Sequence, residues 1–358
     1  MTSPGHPMFS IGITTYDQPE LLKHAIRSVL EQTYPDFEVL VGNDHPGRSL
    51  SPDLLGMHDP RIRWINHPEN LGELGNLNSL LEKAGGRYFS WLADDDYYSP
   101  ALLGTVLESL HRFDFPPCVY TSYALLDDTG VGRPEQYHFT NEVRSLEGRE
   151  FLRRYLDGEF RAIGTCGFFE TRYLRESGGA EKLGSGPFAL YSEYLLLLRA
   201  GLLPRVVHID RPLVTYRVHG LSWGCSNLDF REYEAAGRQL IRRSGAMFKD
   251  GSTQEEFRKY LPGICRIHWN TYVQKALNEA AASPRPLEAI ALLLRRAAEA
   301  KAFVESMLSE AGVDPGRGCP ELRPDYLRHT NRFILLLRLV YLRYRQTFFQ
   351  RIGDAEAR

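Results

Sequence analysis

Through residues 9–126, short runs of β-branched and aromatic residues alternate with amphipathic stretches of helical length. Strands are predicted at Phe9–Thr14, Phe37–Asn43, Ile62–Asn66, Tyr88–Leu92 and Cys118–Leu126, and helices at Glu20–Gln32, Glu73–Ala84 and Pro100–Phe113. Strands separated by helices read as crossover-linked parallel pairs, so this part of the chain is an α/β unit, doubly wound, with a mostly parallel sheet flanked by helices. In such sheets ligands gather beyond the carboxyl ends of the strands, which makes the residues just after each strand the first to inspect.

Beyond residue 129 the pattern loosens. Helices are predicted at Leu146–Leu156 and Glu193–Ala200, and short strands at Gly167–Glu170, Val206–Ile209 and Leu213–Val218. From Leu228 the chain reads as wholly helical, with segments at Phe230–Ser244, Thr253–Ala281, Pro286–Ala311 and Arg323–Arg351 divided by proline- and glycine-containing joints. We therefore expect two domains, 1–227 and 228–358.

The sharpest chemical signal is Asp94-Asp95-Asp96, set between the apolar run ending at Leu92 and the helix opening near Pro100. Three adjacent carboxylates repel one another, and a cation that neutralises them resolves the conflict. Oxygen ligands suit Mg²⁺ or Mn²⁺, which fill the rest of their shell with water and phosphate oxygens. The competing reading is an acidic turn that caps the following helix. That reading weakens when the other strand ends are added. Thr14-Thr15-Tyr16-Asp17 follows the first strand, Asn43-Asp44-His45 the second and Asn70-Leu71-Gly72 the third. Each alone is an ordinary turn; together they offer an aromatic face, a carboxylate acceptor and a metal cluster for a base, a ribose and a diphosphate.

Composition removes other classes. A net charge of −2 argues against a nucleic-acid partner. Five cysteines without paired spacing fit a reducing compartment, and the polar Met1–Pro7 stretch lacks the layout of a secretion signal, so a cytoplasmic location is expected.

Several ordered motifs resemble the large family 2 of glycosyltransferases with the GT-A fold. Ser28-Val29-Leu30-Glu31-Gln32-Thr33-Tyr34-Pro35 leading into Phe37–Val41, the Asn43-Asp44 that comes after it, Asn70-x-Gly72 with Asn78, and Ala84-x-Gly86-x-Tyr88 before the aspartates all match in order. Downstream, Ser192-Glu193 opening a helix that ends at Arg199, and the segment Leu213–Ser222, resemble the closing motifs. The resemblance covers about residues 8–222. It implies that Thr14 and Tyr16 lie against a nucleotide base, Asp44 accepts a base N–H, Asn78 belongs to the nucleotide site and Asp94 holds the ribose. It implies Asp95, or Asp96 in the next register, as metal ligand, with His219 completing that site. Glu193 falls at the position of the catalytic base. Two departures stand out: Leu77 replaces a common Arg, which leaves Arg217 as the candidate diphosphate contact, and Ala93 replaces the first acid of the metal motif.

The resemblance implies an inverting, metal-dependent transfer of a sugar from a nucleotide donor, UDP- or dTDP-linked, to a saccharide or lipid-linked acceptor in polysaccharide or glycoconjugate synthesis. A nucleotidyltransferase would show a glycine-rich basic loop after the first strand, and none is present. A sugar-nucleotide-binding module that has lost catalysis is the other alternative, kept open by Leu77 and Ala93.

The segment Arg323–Arg351 carries seven arginines against one acid, Asp325, among large apolar residues. Its uninterrupted apolar run is far shorter than the ~20 residues a membrane span requires. Two readings stay open: a helix packed in its own domain or a homodimer, with arginines reaching solvent, and a helix lying on the inner face of an anionic membrane.

Overall fold

Among the described residues the strands join one nine-stranded sheet, in the order Ile62–Asn66, Phe37–Asn43, Phe9–Thr15, Tyr88–Ala93, Gly167–Glu170, Cys118–Asp127, Val206–Val218 and Tyr97–Tyr98, with Val143–Leu146 pairing Val206–Val218. The computed structural model describes residues 6–127, 138–184, 189–219, 229–248 and 254–310, with 313, 336, 339 and 340. The chain divides into two compact units, Met1–Gly220 and Leu221–Arg358. The sequence boundary at 227 falls in residues 220–228, outside the described set, as does the segment at Arg323–Arg351 apart from isolated positions.

In the first unit, β1 (Phe9–Thr15) is buried along its whole length between parallel neighbours β2 (Phe37–Asn43) and β4 (Tyr88–Ala93). A strand buried on both faces must be largely apolar, and Phe9, Ile11 and Ile13 alternate with the small residues Ser10, Gly12 and Thr14. Register then builds the site: Thr15 pairs with Asn43 and Thr14 with Ala93, so the residues beyond the ends of all three strands emerge side by side. β3 (Ile62–Asn66) extends the parallel part beyond β2.

The helices pack by their apolar faces. In α1 (Pro19–Leu30), proline opens the first turn, Arg27 closes the last, and Leu22, Ala25, Ile26 and Val29 are buried at helical spacing. A short α2 (Pro52–Leu55) precedes β3, and α3 (Gly72–Lys83) buries Leu74, Leu77, Leu80 and Leu81. The two-residue β5 (Tyr97–Tyr98) separates the acidic triplet from α4 (Leu102–Arg112).

Past β4 the sheet becomes mixed. β8 (Gly167–Glu170) runs antiparallel between β4 and β6 (Cys118–Asp127), and β6 pairs in parallel with β9 (Val206–Val218). β9 also takes β5 and β7 (Val143–Leu146) as antiparallel partners. Two predicted strands, Val206–Ile209 and Leu213–Val218, are thus one. The Asp210-Arg211-Pro212 interruption is absorbed by a shift in register opposite Thr121, Ser122 and Tyr123, where Pro212 lacks the N–H that regular pairing asks for. Helices α5 (Gly148–Asp157), α6 (Thr171–Glu176) and α7 (Ser192–Ala200) complete the unit, with a 3-10 turn at Gly164–Cys166 just before β8.

The second unit holds α8 (Phe230–Met247), α9 (Gln254–Ala282) and α10 (Pro286–Glu310), and α9 passes through Pro262 without ending. Its interior is built from Leu240, Leu261, Ile264, Trp269, Leu277 and Leu293. Arg296 stacks 3.8 Å from the Phe230 ring centroid while its guanidinium pairs with Glu279 and Glu299. Among the described residues no helix is long and apolar enough to cross a membrane.

Candidate active site

At the end of β1, Thr14 is buried and Tyr16 turns outward with 43% of its surface exposed. The Tyr16 ring lies 5.1 Å from the ring of His45, just beyond β2, at an interplanar angle of 40°. Asp17 adopts the left-handed region at φ 51° and pairs with Arg48 at 2.8 Å, joining the two loops. Asp44 is buried, and its Oδ1 accepts the Leu71 N–H at 2.8 Å ahead of α3. Burial lifts the Asp44 carboxyl above its ordinary range, opposed by the N–H groups of Leu71 and Gly72.

The acidic triplet occupies the turn between β4 and β5, closed by Asp96 N–H to the Ala93 carbonyl. Its members have different surroundings. Asp94, 8% exposed, accepts a short hydrogen bond of 2.5 Å from the Thr15 hydroxyl. Desolvation, more than the neighbouring Asp95, pushes its carboxyl up to about 7. Asp95 is half-buried with Oδ2 3.0 Å from His219 Nε2. Asp96, 1% exposed, accepts the Arg217 N–H on Oδ1 at 2.9 Å, while Oδ2 is buried without a hydrogen-bond partner among the described residues. Burial and then the charge of Asp95 raise this carboxyl well above the usual range. Pairing of β5 with β9 through Tyr97 and Thr215 is what brings Arg217 and His219 to the triplet. The Arg217 guanidinium stands 6.0 Å from the Tyr97 ring centroid.

Glu193 enters from the first turn of α7, close behind Tyr191, which is held at φ 60° and ψ 3°. A tyrosine in the left-handed region is strained and persists only where its surroundings impose it. Glu193 Oε2 accepts the Gly164 N–H of the 3-10 turn at 3.1 Å. Burial raises the Glu193 carboxyl, Gly164 opposes that, and Asp95 adds to it.

Glu73, in the first turn of α3, joins this group unforeseen. Its side chain keeps an exposed surface, and the protein around its carboxyl, then the charges of Glu193, Asp95 and Asp94, raise its affinity for protons. Its only trace in the sequence is the acidic residue after Asn70-x-Gly72. Asn78, by contrast, has both ends of its amide engaged with the Ala180 backbone, at 2.9 Å each. It ties α3 to the segment after α6.

Five carboxyl groups, Glu73, Asp94, Asp95, Asp96 and Glu193, therefore share one end of the sheet, four of them with a raised affinity for protons. Among the described residues no three histidine, cysteine, aspartate or glutamate side chains are already drawn into one coordination sphere. The donor set nevertheless fits a hard divalent cation: uncompensated negative charge, a buried carboxylate oxygen of Asp96 without a partner, and one imidazole at Asp95.

The sequence profile of Glycosyl transferase family 2 matches residues 10–178, which hold the strand ends and the triplet. An uncharacterized glycosyltransferase of Rickettsia bellii is 33% identical over 127 residues, covering 35% of this chain and 18% of that protein. The putative colanic acid biosynthesis glycosyl transferase WcaA of Escherichia coli is 31% identical over 104 residues, covering 28% of this chain and 37% of that protein. The matches thus span well under half the length of these relatives. Among solved structures, residues 1–349 of S. aureus TarS in complex with UDP-GlcNAc align with a TM-score of 0.60 at 14% identity, over 95% of this chain and 92% of that one. That likeness shows the fold: a GT-A sheet with a helical carboxyl-terminal region. The first unit of this chain thus has a GT-A fold, and its residues 10–178 are those that match glycosyl transferase family 2.

Proposed function

We propose that the chain moves a sugar from a nucleoside diphosphate donor, UDP- or dTDP-linked, onto a hydroxyl acceptor with inversion at the anomeric carbon. The observation that carries this reading is the convergence of Glu193, oriented by Gly164, with the carboxylate-lined sheet end at Asp94–Asp96. TarS, which shares the fold, has been solved with UDP-GlcNAc, and WcaA bears a name from polysaccharide synthesis; both support the choice of donor and product class.

In this reading Tyr16 stacks on the base beside Thr14, Asp44 accepts a ring N–H, Asp94 holds the ribose hydroxyls, and Arg217 contacts the diphosphate. The acceptor oxygen forms a bond to the anomeric carbon as the bond from that carbon to the phosphate oxygen breaks. Its proton passes to Glu193, whose affinity for protons is raised by burial, and the nucleoside diphosphate departs with the bonding electrons. Asp95, with Asp96 and His219, would hold Mn²⁺ or Mg²⁺, which when bound supplies positive charge to the leaving diphosphate. Asn78 supports this site through Ala180. A cytoplasmic location, with the arginine-rich segment on a membrane face or in a homodimer, belongs to the same reading.

Thermal shift with UDP and UDP-GlcNAc, with and without Mn²⁺, tests the donor, because a ligand of the native state raises stability. The expected result is a metal-dependent upward shift, together with slow release of UDP from UDP-GlcNAc or another UDP- or dTDP-sugar. Asp95→Ala should weaken both binding and release. Binding without any release across the donor panel would mark a sugar-nucleotide-binding module and overturn the enzymatic reading.

A further inference from the structure

The 3-10 turn at Gly164–Cys166 is inserted between β4 and the start of α7, and it delivers one backbone donor to Glu193. Gly164 is buried, and a side chain has no room there. A Cβ at this position would lie 2.7 Å from Cη2 and 3.1 Å from Cζ3 of Trp91, and 3.1 Å from Cγ of Glu193. The first distance is one that real Cβ atoms do not show. The Trp91 ring is held in the core on β4, three residues before Asp94, so it yields little. On the far side, Glu193 extends from a backbone fixed by the left-handed Tyr191.

We propose that Gly164 is a positioning residue for the catalytic base: the absence of a side chain lets its N–H reach Glu193 with the Trp91 indole edge as backstop, and the carboxylate is thereby aimed at the acceptor. This rests on the reading of Glu193 as base. Gly164 acts through the direction of one carboxylate oxygen and leaves donor binding alone. The free Oε1 is then the oxygen presented for proton transfer, since Oε2 is engaged.

Two consequences separate positioning from mere packing. Displacing the turn by the ångström that a Cβ demands should cost up to about a hundredfold in turnover, because general-base transfer depends steeply on alignment. It also weakens a hydrogen bond that favours ionised Glu193. The base then holds its proton to higher pH, and the acidic limb of the rate profile moves upward. The ionisable groups facing Glu193 are Glu73, Asp95, Asp96, Cys166, Tyr120, Tyr123 and Tyr155, and all but Cys166, which shares the turn with Gly164, stand on other segments of the chain.

The test monitors release of UDP from UDP-GlcNAc, or from whichever panel sugar the full-length protein turns over, with Mn²⁺ across pH 5 to 9. Wild type is compared with Glu193→Gln, Trp91→Phe, Gly164→Ala and Gly164→Ala/Trp91→Phe. For Gly164→Ala we expect kcat to fall by about ten- to a hundredfold, KM for the donor to stay within about twofold, and the acidic limb to move to higher pH. In the double variant the two colliding ring atoms are gone, and both rate and limb should return toward those of Trp91→Phe. This double variant also carries the comparison if Gly164→Ala does not fold. Wild-type turnover and an unmoved limb in Gly164→Ala, or a double variant as slow as the single one, overturn the proposal. If Glu193→Gln itself keeps wild-type turnover, the base has been misidentified, and that failure is read separately from the behaviour of Gly164→Ala.

Discussion

Asp94 and Asp96 sit two residues apart in one acidic run, yet burial gives them different partners: a threonine hydroxyl for the first, a backbone N–H from β9 for the second. The run itself was legible, because three adjacent carboxylates after an apolar strand have few explanations. The roles of Glu73, His45 and Gly164 were not. Nothing in a single glutamate, histidine or glycine announces which distant group it will face, and all three acquire meaning from register and crossover. Two predictions belong here. Glu193→Gln should lower UDP release by about a hundredfold or more while the donor-induced thermal shift persists, as loss of a general base does; near-normal release would remove Glu193 from the mechanism. Tyr16→Ala should weaken UDP binding in titration calorimetry by roughly three- to tenfold, the worth of one aromatic contact, and an unchanged Kd would take the ring off the base.

At the scale of elements, the β1, β2 and β4 trio and its helices could be read from the sequence because their hydrophobic periods are strong. β5 and β7 could not. β5 has two residues and β7 interrupts its apolar ends with Arg144-Ser145, so neither shows a strand pattern, and both exist because β9 offers them an edge. The contact between α3 and β2 shows how tightly these elements are fitted. Asn76 donates to the Gly42 carbonyl and its Oδ1 stands 3.0 Å from His67 Nε2, so one amide joins helix, strand and loop in the interior. A Cβ on Gly42 would fall 2.0 Å from that same Oδ1. Gly42→Ala should therefore cost on the order of 2–3 kcal/mol, through overpacking and the loss of a buried hydrogen bond, measured by urea denaturation. A cost below about 0.5 kcal/mol would mean that the helix moves freely against the sheet.

Across the whole molecule, each unit encloses a buried histidine kept neutral by desolvation: His208, stacked 4.0 Å from the Phe160 centroid, at about 4, and His268, 4.2 Å from the Phe303 centroid, at about 3. An unfolded histidine takes up its proton near pH 6.5, so both units lose stability as pH falls from there toward 4, each by on the order of 2–3 kcal/mol. Asp94, its carboxyl raised to about 7, acts in the opposite sense: the stability its proton lends is full below about pH 4 and is lost as pH rises from there to about 7. Between pH 4.5 and 6.5 the two effects therefore oppose each other. His208→Asn removes one histidine from that balance and should raise the denaturation midpoint at pH 4.5 relative to that at pH 6.5; a difference identical to wild type would contradict the buried-neutral state.

The divided carboxylate of Asp96 gives this chain a one-sided probe. Because the Arg217 N–H can only donate, asparagine at position 96 must turn its oxygen toward that N–H and its amino group toward the unpartnered direction. The tie between residues 121 positions apart survives, while an acceptor oxygen is exchanged for a donating NH2 group at a single point. Architecture and chemistry, joined in one side chain, thus come apart with the change of one atom.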